Sequence, residues 1–82
     1  MVIEIGPGLG NLTEYLFEKA NHVLLVEIDK NMIEILNDRF ADCNNYTLLN
    51  DDVLKVSIDE QISKIEKEKN IKFENVKVVA NL

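Results

Sequence analysis

Three glycines at alternate positions, Gly6, Gly8 and Gly10, follow a short run of β-favouring residues in which one acid, Glu4, is set. An amphipathic helical pattern starts immediately after them. A strand, a glycine turn and a helix N-terminus in succession let backbone come close to a nucleotide-like ligand. Glycine has no Cβ and tolerates positive φ, and the first turn of a helix carries free N–H groups. Other polar residues stand where later strands end: Glu27 and Asp29, then Asn50, Asp51 and Asp52, then Asn81. In a parallel α/β sheet all of these loops share the carboxyl edge, next to the switch point beside the first strand. That coincidence is the main argument for a binding site.

Residue types narrow the ligand. The dinucleotide fingerprint G-x-G-x-x-G/A requires a small residue at position 11, where this chain has Asn11. The third glycine comes one residue early, so its tight-packing role is not met in that register and a nicotinamide-linked dehydrogenase is disfavoured. No Gly-Lys-Ser/Thr follows, which excludes a P-loop. His22 opens a strand away from the carboxyl edge and is expected at the surface or partly buried. Cys43 is the only cysteine and lies in a polar turn. Neither is assigned a role, and there is no cysteine-type metal site or disulfide framework.

The elements that position these residues follow from hydrophobic periodicity. Strand one covers residues 2–5. The helix after it carries Leu9, Leu12, Leu16 and Ala20 on one stripe. Strand two, residues 22–28, is apolar almost throughout, as suits a strand covered on both faces. Asp29 caps a second helix whose buried side is Met32, Ile33, Leu36 and Phe40. Strand three spans 46–49 and a short irregular piece spans 53–56. Ser57 and Glu60 then form a capping box for a helix that buries Ile58, Ile62 and Ile65. Strand four covers 76–82. The β-α-β-α-β-α-β order predicts a parallel sheet of about four strands with helices on both faces, a Rossmann-like α/β fold. The chain has 82 residues and a net charge of -6, so bulk electrostatics attract neither nucleic acid nor an anionic membrane. No apolar run is long enough to span a bilayer.

The pattern Glu-x-Gly-x-Gly-x-Gly is similar to motif I of Rossmann-like S-adenosylmethionine-dependent methyltransferases. More narrowly, Glu4-Ile5-Gly6-Pro7-Gly8-Leu9-Gly10-Asn11-Leu12-Thr13 resembles the ribosomal RNA adenine N6,N6-dimethyltransferases. That family includes the small-subunit dimethyladenosine transferases and the erythromycin-resistance rRNA methyltransferases. The resemblance continues through Val26-Glu27-Ile28-Asp29, Asn50-Asp51-Asp52-Val53-Leu54 and Ala80-Asn81-Leu82, so it covers the chain.

The resemblance implies a sheet order of 3-2-1-4 and S-adenosylmethionine as cofactor. Glu27 would take the ribose hydroxyls, and Asp52 would accept from the adenine amine, with Asp51 a competitor for that role. The Val53 N–H would donate to the ring and Ile28 would lie on the adenine face, unless it packs in the core. Gly6 and Gly8 would bring backbone against the methionine part, and Glu4 would hold that loop and the amino group indirectly. Asn81 is the catalytic candidate, orienting the target amine toward the sulfonium methyl. The substrate implied is adenine in rRNA or a pre-ribosomal subunit, in the cytoplasm. Residues 1–82 would be a partial cofactor-binding domain, inactive alone, without the later catalytic part and the RNA-binding domain. Strand four would be an exposed edge prone to self-association. The alternatives are a methyltransferase of this fold acting on another substrate, and a non-catalytic nucleotide-binding module.

Overall fold

A computed structural model describes residues 1–80 of the chain. Its elements are β1 (Val2–Ile5), α1 (Asn11–Lys19), β2 (Val23–Glu27), α2 (Lys30–Arg39), β3 (Tyr46–Asn50), a 3-10 turn (Val53–Lys55), α3 (Ile58–Lys69) and β4 (Lys77–Ala80). The strands form one sheet in the order β3-β2-β1-β4, every pair parallel, as the sequence and its resemblance led us to expect. β1 and β2 are therefore interior strands, and their carboxyl ends sit side by side.

Period-two alternation along β2 divides the core into two layers. Leu24 and Val26 join Ile3, Met1 and Ile65 on the face that α3 covers, with Ile58 and Ile62 against them. Val23 and Leu25 join Leu16 on the other face, with Leu12, Phe17 and Ala20 around them. All five residues of β2 are buried, which explains its unbroken apolar run. On the second face α1 and α2 meet through aromatic edges: the Phe17 and Phe40 rings lie 4.7 Å apart at 85°. Asp29 caps α2 by accepting from the Asn31 N–H, and Ser57 caps α3 by accepting from that of Glu60. Asn70, in the left-handed region at φ 53°, ends α3.

Three expectations change. Leu9 does not belong to the apolar stripe of α1, because the helix begins after Gly10 and Leu9 is 54% exposed in the preceding loop. The piece after β3 is not irregular but a 3-10 turn capped by Asp52, whose Oδ1 accepts from the Leu54 N–H. His22 is neither at the surface nor half-covered; it is buried, its Nε2 lies 2.8 Å from the Thr47 hydroxyl, and Phe73 packs beside it. Among the described residues no helix is long and apolar enough to cross a membrane.

Burial holds the His22 imidazole neutral, and Lys69 and the N-terminal ammonium add to the effect, lowering its pKa to about 4 from 6.5. Between those values the unfolded chain binds a proton that the folded chain does not. The stability tied to His22 is thus complete above pH 6.5 and is lost as pH falls toward 4. Urea unfolding of the natural chain and of His22→Gln at neutral and acidic pH should show this. The natural chain should lose up to about 3 kcal/mol more than the variant across that window. Parallel pH curves for the two would contradict the assignment.

Candidate functional site

The glycine loop begins where β1 ends. Gly6, at φ 71°, donates its N–H to the carbonyl of Val26, which keeps the loop in register with β2 for one residue beyond the strand. Gly8 sits at φ 59°, and a Cβ built on it would meet no atom within 4 Å among the described residues. Backbone conformation, not space, requires glycine there, and the open space beside it is where a ligand can approach. Gly10 is the reverse case. Its φ is 90°, and a Cβ would fall 2.7 Å from the Phe40 ring. The tight-packing role that Asn11 cannot fill is taken one residue earlier, by Gly10 against the end of α2.

Glu27, at the carboxyl end of β2 and 6% exposed, faces this loop. Its Oε1 accepts from the Gly8 N–H at 3.0 Å and its Oε2 from the Asp29 N–H at 3.0 Å. Its main-chain carbonyl accepts from the Asn50 amide at 2.9 Å and from the Asp51 N–H at 3.1 Å. A nearly buried carboxylate needs such donors, since an unpaired charge away from water is costly. Asp29 caps α2 as expected, accepting from the Asn31 N–H, while Glu27 secures Asp29 itself.

Beyond Glu27 a cavity of about 160 Å³ opens between the ends of β1, β2 and β3, lined by Ile5, Gly6, Val26, Glu27, Ile28, Asp51, Asp52 and Val53. Five residues expected at the site, Gly6, Glu27, Ile28, Asp52 and Val53, meet there, and Gly8 joins them through its bond to Glu27. Ile28 is 67% exposed, so it is not a core residue. Of the two competing acids, Asp51 accepts from the Asp52 N–H at 2.7 Å in a local turn. Val53 is the first residue of the 3-10 turn, where an N–H has no acceptor within the helix. Asn81 lies outside the described residues. Among those residues no cluster of His, Cys, Asp and Glu has the makings of a metal site.

Glu4 is not in the cavity. Its side chain enters the layer under α1 and is fully buried, where Oε1 accepts from the Thr13 hydroxyl. Oε2 has no hydrogen-bond partner among the described residues. Burial raises the carboxyl pKa, and the Thr13 bond offsets this in part. Arg39, which sequence reasoning missed, ends α2 and reaches back to the loop. One guanidinium nitrogen donates to the Leu9 carbonyl at 2.6 Å and to the Asn11 side-chain oxygen at 3.0 Å, and the other to Glu14 at 2.8 Å. The sequence signal was only a basic residue in a last helical turn, where the dipole alone accounts for it. A wider groove, about 730 Å³, runs past Met1, Leu16, Lys19 and Val79 and holds none of the expected site residues.

The family model for ribosomal RNA adenine dimethylase matches residues 1–82. Among curated proteins the chain is 51% identical over 81 residues to a ribosomal RNA small subunit methyltransferase A from Lactococcus lactis, covering 99% of this chain and 26% of that protein. It is 51% identical over 83 residues to the protein of that name from Lachnoclostridium phytofermentans, covering 100% and 27%. For a Streptococcus pneumoniae counterpart the identity is 47% over 83 residues, covering 99% and 27%. The chain therefore spans about a quarter of the length of these relatives.

The loop geometry ranks two glycine substitutions. Gly8→Ala meets only backbone strain and should cost about 1 kcal/mol. Gly10→Ala adds a clash with Phe40 and should cost about 3 kcal/mol. Denaturant unfolding of the two variants checks the order, and equal losses would contradict the packing role of Gly10.

Proposed function

Since the chain belongs to the ribosomal RNA adenine dimethylase family, we propose that its carboxyl-edge site holds S-adenosylmethionine and that the whole protein methylates the exocyclic amine of an adenine in ribosomal RNA. The observation that carries this reading is the cavity in which Gly6, Glu27, Ile28, Asp52 and Val53 converge, with Gly8 tied to Glu27. For residues 1–82 the proposal covers holding the methyl donor and, at Asn81, positioning the target amine. Binding of RNA and the rest of the catalytic surface belong, on this reading, to sequence that the longer relatives have beyond the matched region.

The residues present suit the cofactor. Each Glu27 oxygen accepts one main-chain N–H and keeps a lone pair, so the carboxylate can also accept from the two ribose hydroxyls. Asp52 accepts from the adenine amine, the Val53 N–H donates to the ring, and Ile28 covers one adenine face. Gly6 and Gly8 let the main chain lie against the methionine portion, and Glu4, buried beneath the loop and bonded to Thr13 at the start of α1, supports that loop only indirectly. Such a cofactor, when bound, supplies an electrophilic methyl on a sulfonium. Asn81, matched to the family's motif, would hold the target amine for the transfer, a catalysis by positioning. An adenine within a duplex must leave the stack to be reached. The proposed place of work is the cytoplasm.

Among the described residues β4 pairs with β1 alone, and Val78 on it is 60% exposed. We propose that the edge of β4 left unpaired among the described residues pairs, in the 82-residue chain, with a second copy of it. Sedimentation over a range of micromolar concentrations should show a reversible dimer, and a monomer throughout would overturn this.

Titration with S-adenosylmethionine, followed by backbone amide shifts, tests the cofactor site. Shifts should concentrate at residues 6–10, 27–28 and 52–53, and Asp52→Ala should weaken binding roughly tenfold, the worth of a hydrogen bond to a charged group. A well-dispersed spectrum unmoved by millimolar donor would refute the proposal.

A further inference from the structure

The glycine loop is braced from two sides. On one, Glu27 accepts from the Gly8 N–H. On the other, the last turn of α2 delivers Arg39 to the Leu9 carbonyl and places Phe40 under Gly10. The Leu9 carbonyl precedes the helix and has no place in the α1 ladder, so its orientation depends on what it bonds to. A guanidinium is a planar fork with fixed donor directions, so its partners hold each other in place. Arg39 uses that fork to link Leu9, Asn11 and Glu14, and the guanidinium also lies over the Phe40 ring, 5.3 Å from its centroid.

We propose that Arg39 is a positioning residue for the glycine loop: by holding the Leu9 carbonyl it fixes the main chain of Gly6 and Gly8 in the form that meets the methyl donor. The inference rests on the cofactor reading above, but the brace itself is a property of the loop. The Arg39 side chain is 32% exposed and that of Glu14 70%. An ion pair so exposed contributes little to global stability. The bond to Leu9 therefore acts on the loop, where it sets one main-chain carbonyl next to two residues in left-handed backbone.

Two readouts on the full chain decide the matter: calorimetric titration with S-adenosylmethionine and amide hydrogen exchange. Arg39→Ala should weaken binding roughly tenfold, as expected for loss of a hydrogen bond from a charged donor. It should also speed exchange at Gly8 and Gly10 while leaving β2 unchanged. Arg39→Lys, which can still reach the carbonyl with one donor, should recover part of both. Glu14→Gln, which removes the ion pair and leaves the Leu9 bond, should bind within about twofold of the natural chain. Natural-like binding and loop exchange in Arg39→Ala would overturn the inference. So would a loss in Glu14→Gln as large as that in Arg39→Ala, since Arg39 would then be only a tether between helices. If Arg39→Ala does not fold, Arg39→Lys decides, with raised loop exchange supporting the brace and unchanged exchange refuting it. Failure of the natural chain to bind the donor would instead refute the cofactor reading, and the exchange comparison would still decide the brace.

Discussion

Among the described residues, each loop at the carboxyl edge is tied, directly or through one neighbour, to Glu27. Its two carboxylate oxygens hold the glycine loop at Gly8 and the start of α2 at Asp29, and its carbonyl holds Asn50 at the end of β3 and Asp51 just beyond it. Hydrogen bonds to a charged group contribute more than neutral ones, and they contribute most where water is excluded, as at this 6% exposed side chain. The consequence is preorganisation. On the proposed function, the group that would receive the ribose hydroxyls is already fixed by the protein's own N–H donors, so little ordering would remain to oppose binding.

Glu4 shows the opposite solution one strand away. It too is an acid in a parallel sheet, but it points into a packed layer where a single hydroxyl, that of Thr13, answers it. One oxygen has no partner among the described residues, and burial pushes the carboxyl toward its neutral form. Position explains the contrast. At a strand end the main chain turns and frees N–H groups to face a carboxylate, whereas inside a strand the neighbouring N–H groups belong to the sheet. A buried group left half-satisfied is a cost that a structure carries most often where the group has a use.

The elements were legible because each rests on a local signal. Alternation marks β2, Asp29 and Ser57 announce helix starts, and three glycines can only be a turn. The gathering of Gly6, Glu27, Ile28, Asp52 and Val53 at one edge was legible from topology, because parallel strands bring their loops to the same side. What escaped depends on partners far along the chain. Arg39 meets Leu9 thirty residues earlier, His22 is buried through Thr47 and Phe73, and the packing at Gly10 is decided by Phe40. Leu9 misled for a related reason, since its spacing fits the helical stripe and only the left-handed turn at Gly10 puts it outside the helix. Periodicity reports which face an element buries and is silent on what a long side chain reaches across a gap.

Charge is unevenly placed in a way that bears on the proposed reaction. Glu27, Asp51 and Asp52 line the carboxyl-edge cavity, with Lys30 opening α2 and Lys55 closing the 3-10 turn, whereas Lys67 and Lys69 end α3 and Lys72 and Lys77 follow toward the start of β4, at the other edge. An acidic mouth favours a cationic sulfonium donor and disfavours a phosphate backbone, because the interaction strengthens as the cavity narrows and the local dielectric falls. On the proposed function this separates the two substrates by electrostatics before any contact is specific. On that function the cationic donor would be favoured at this mouth over a polyanion, and a neutral base lifted out of its stack would be the part of the RNA to approach the methyl.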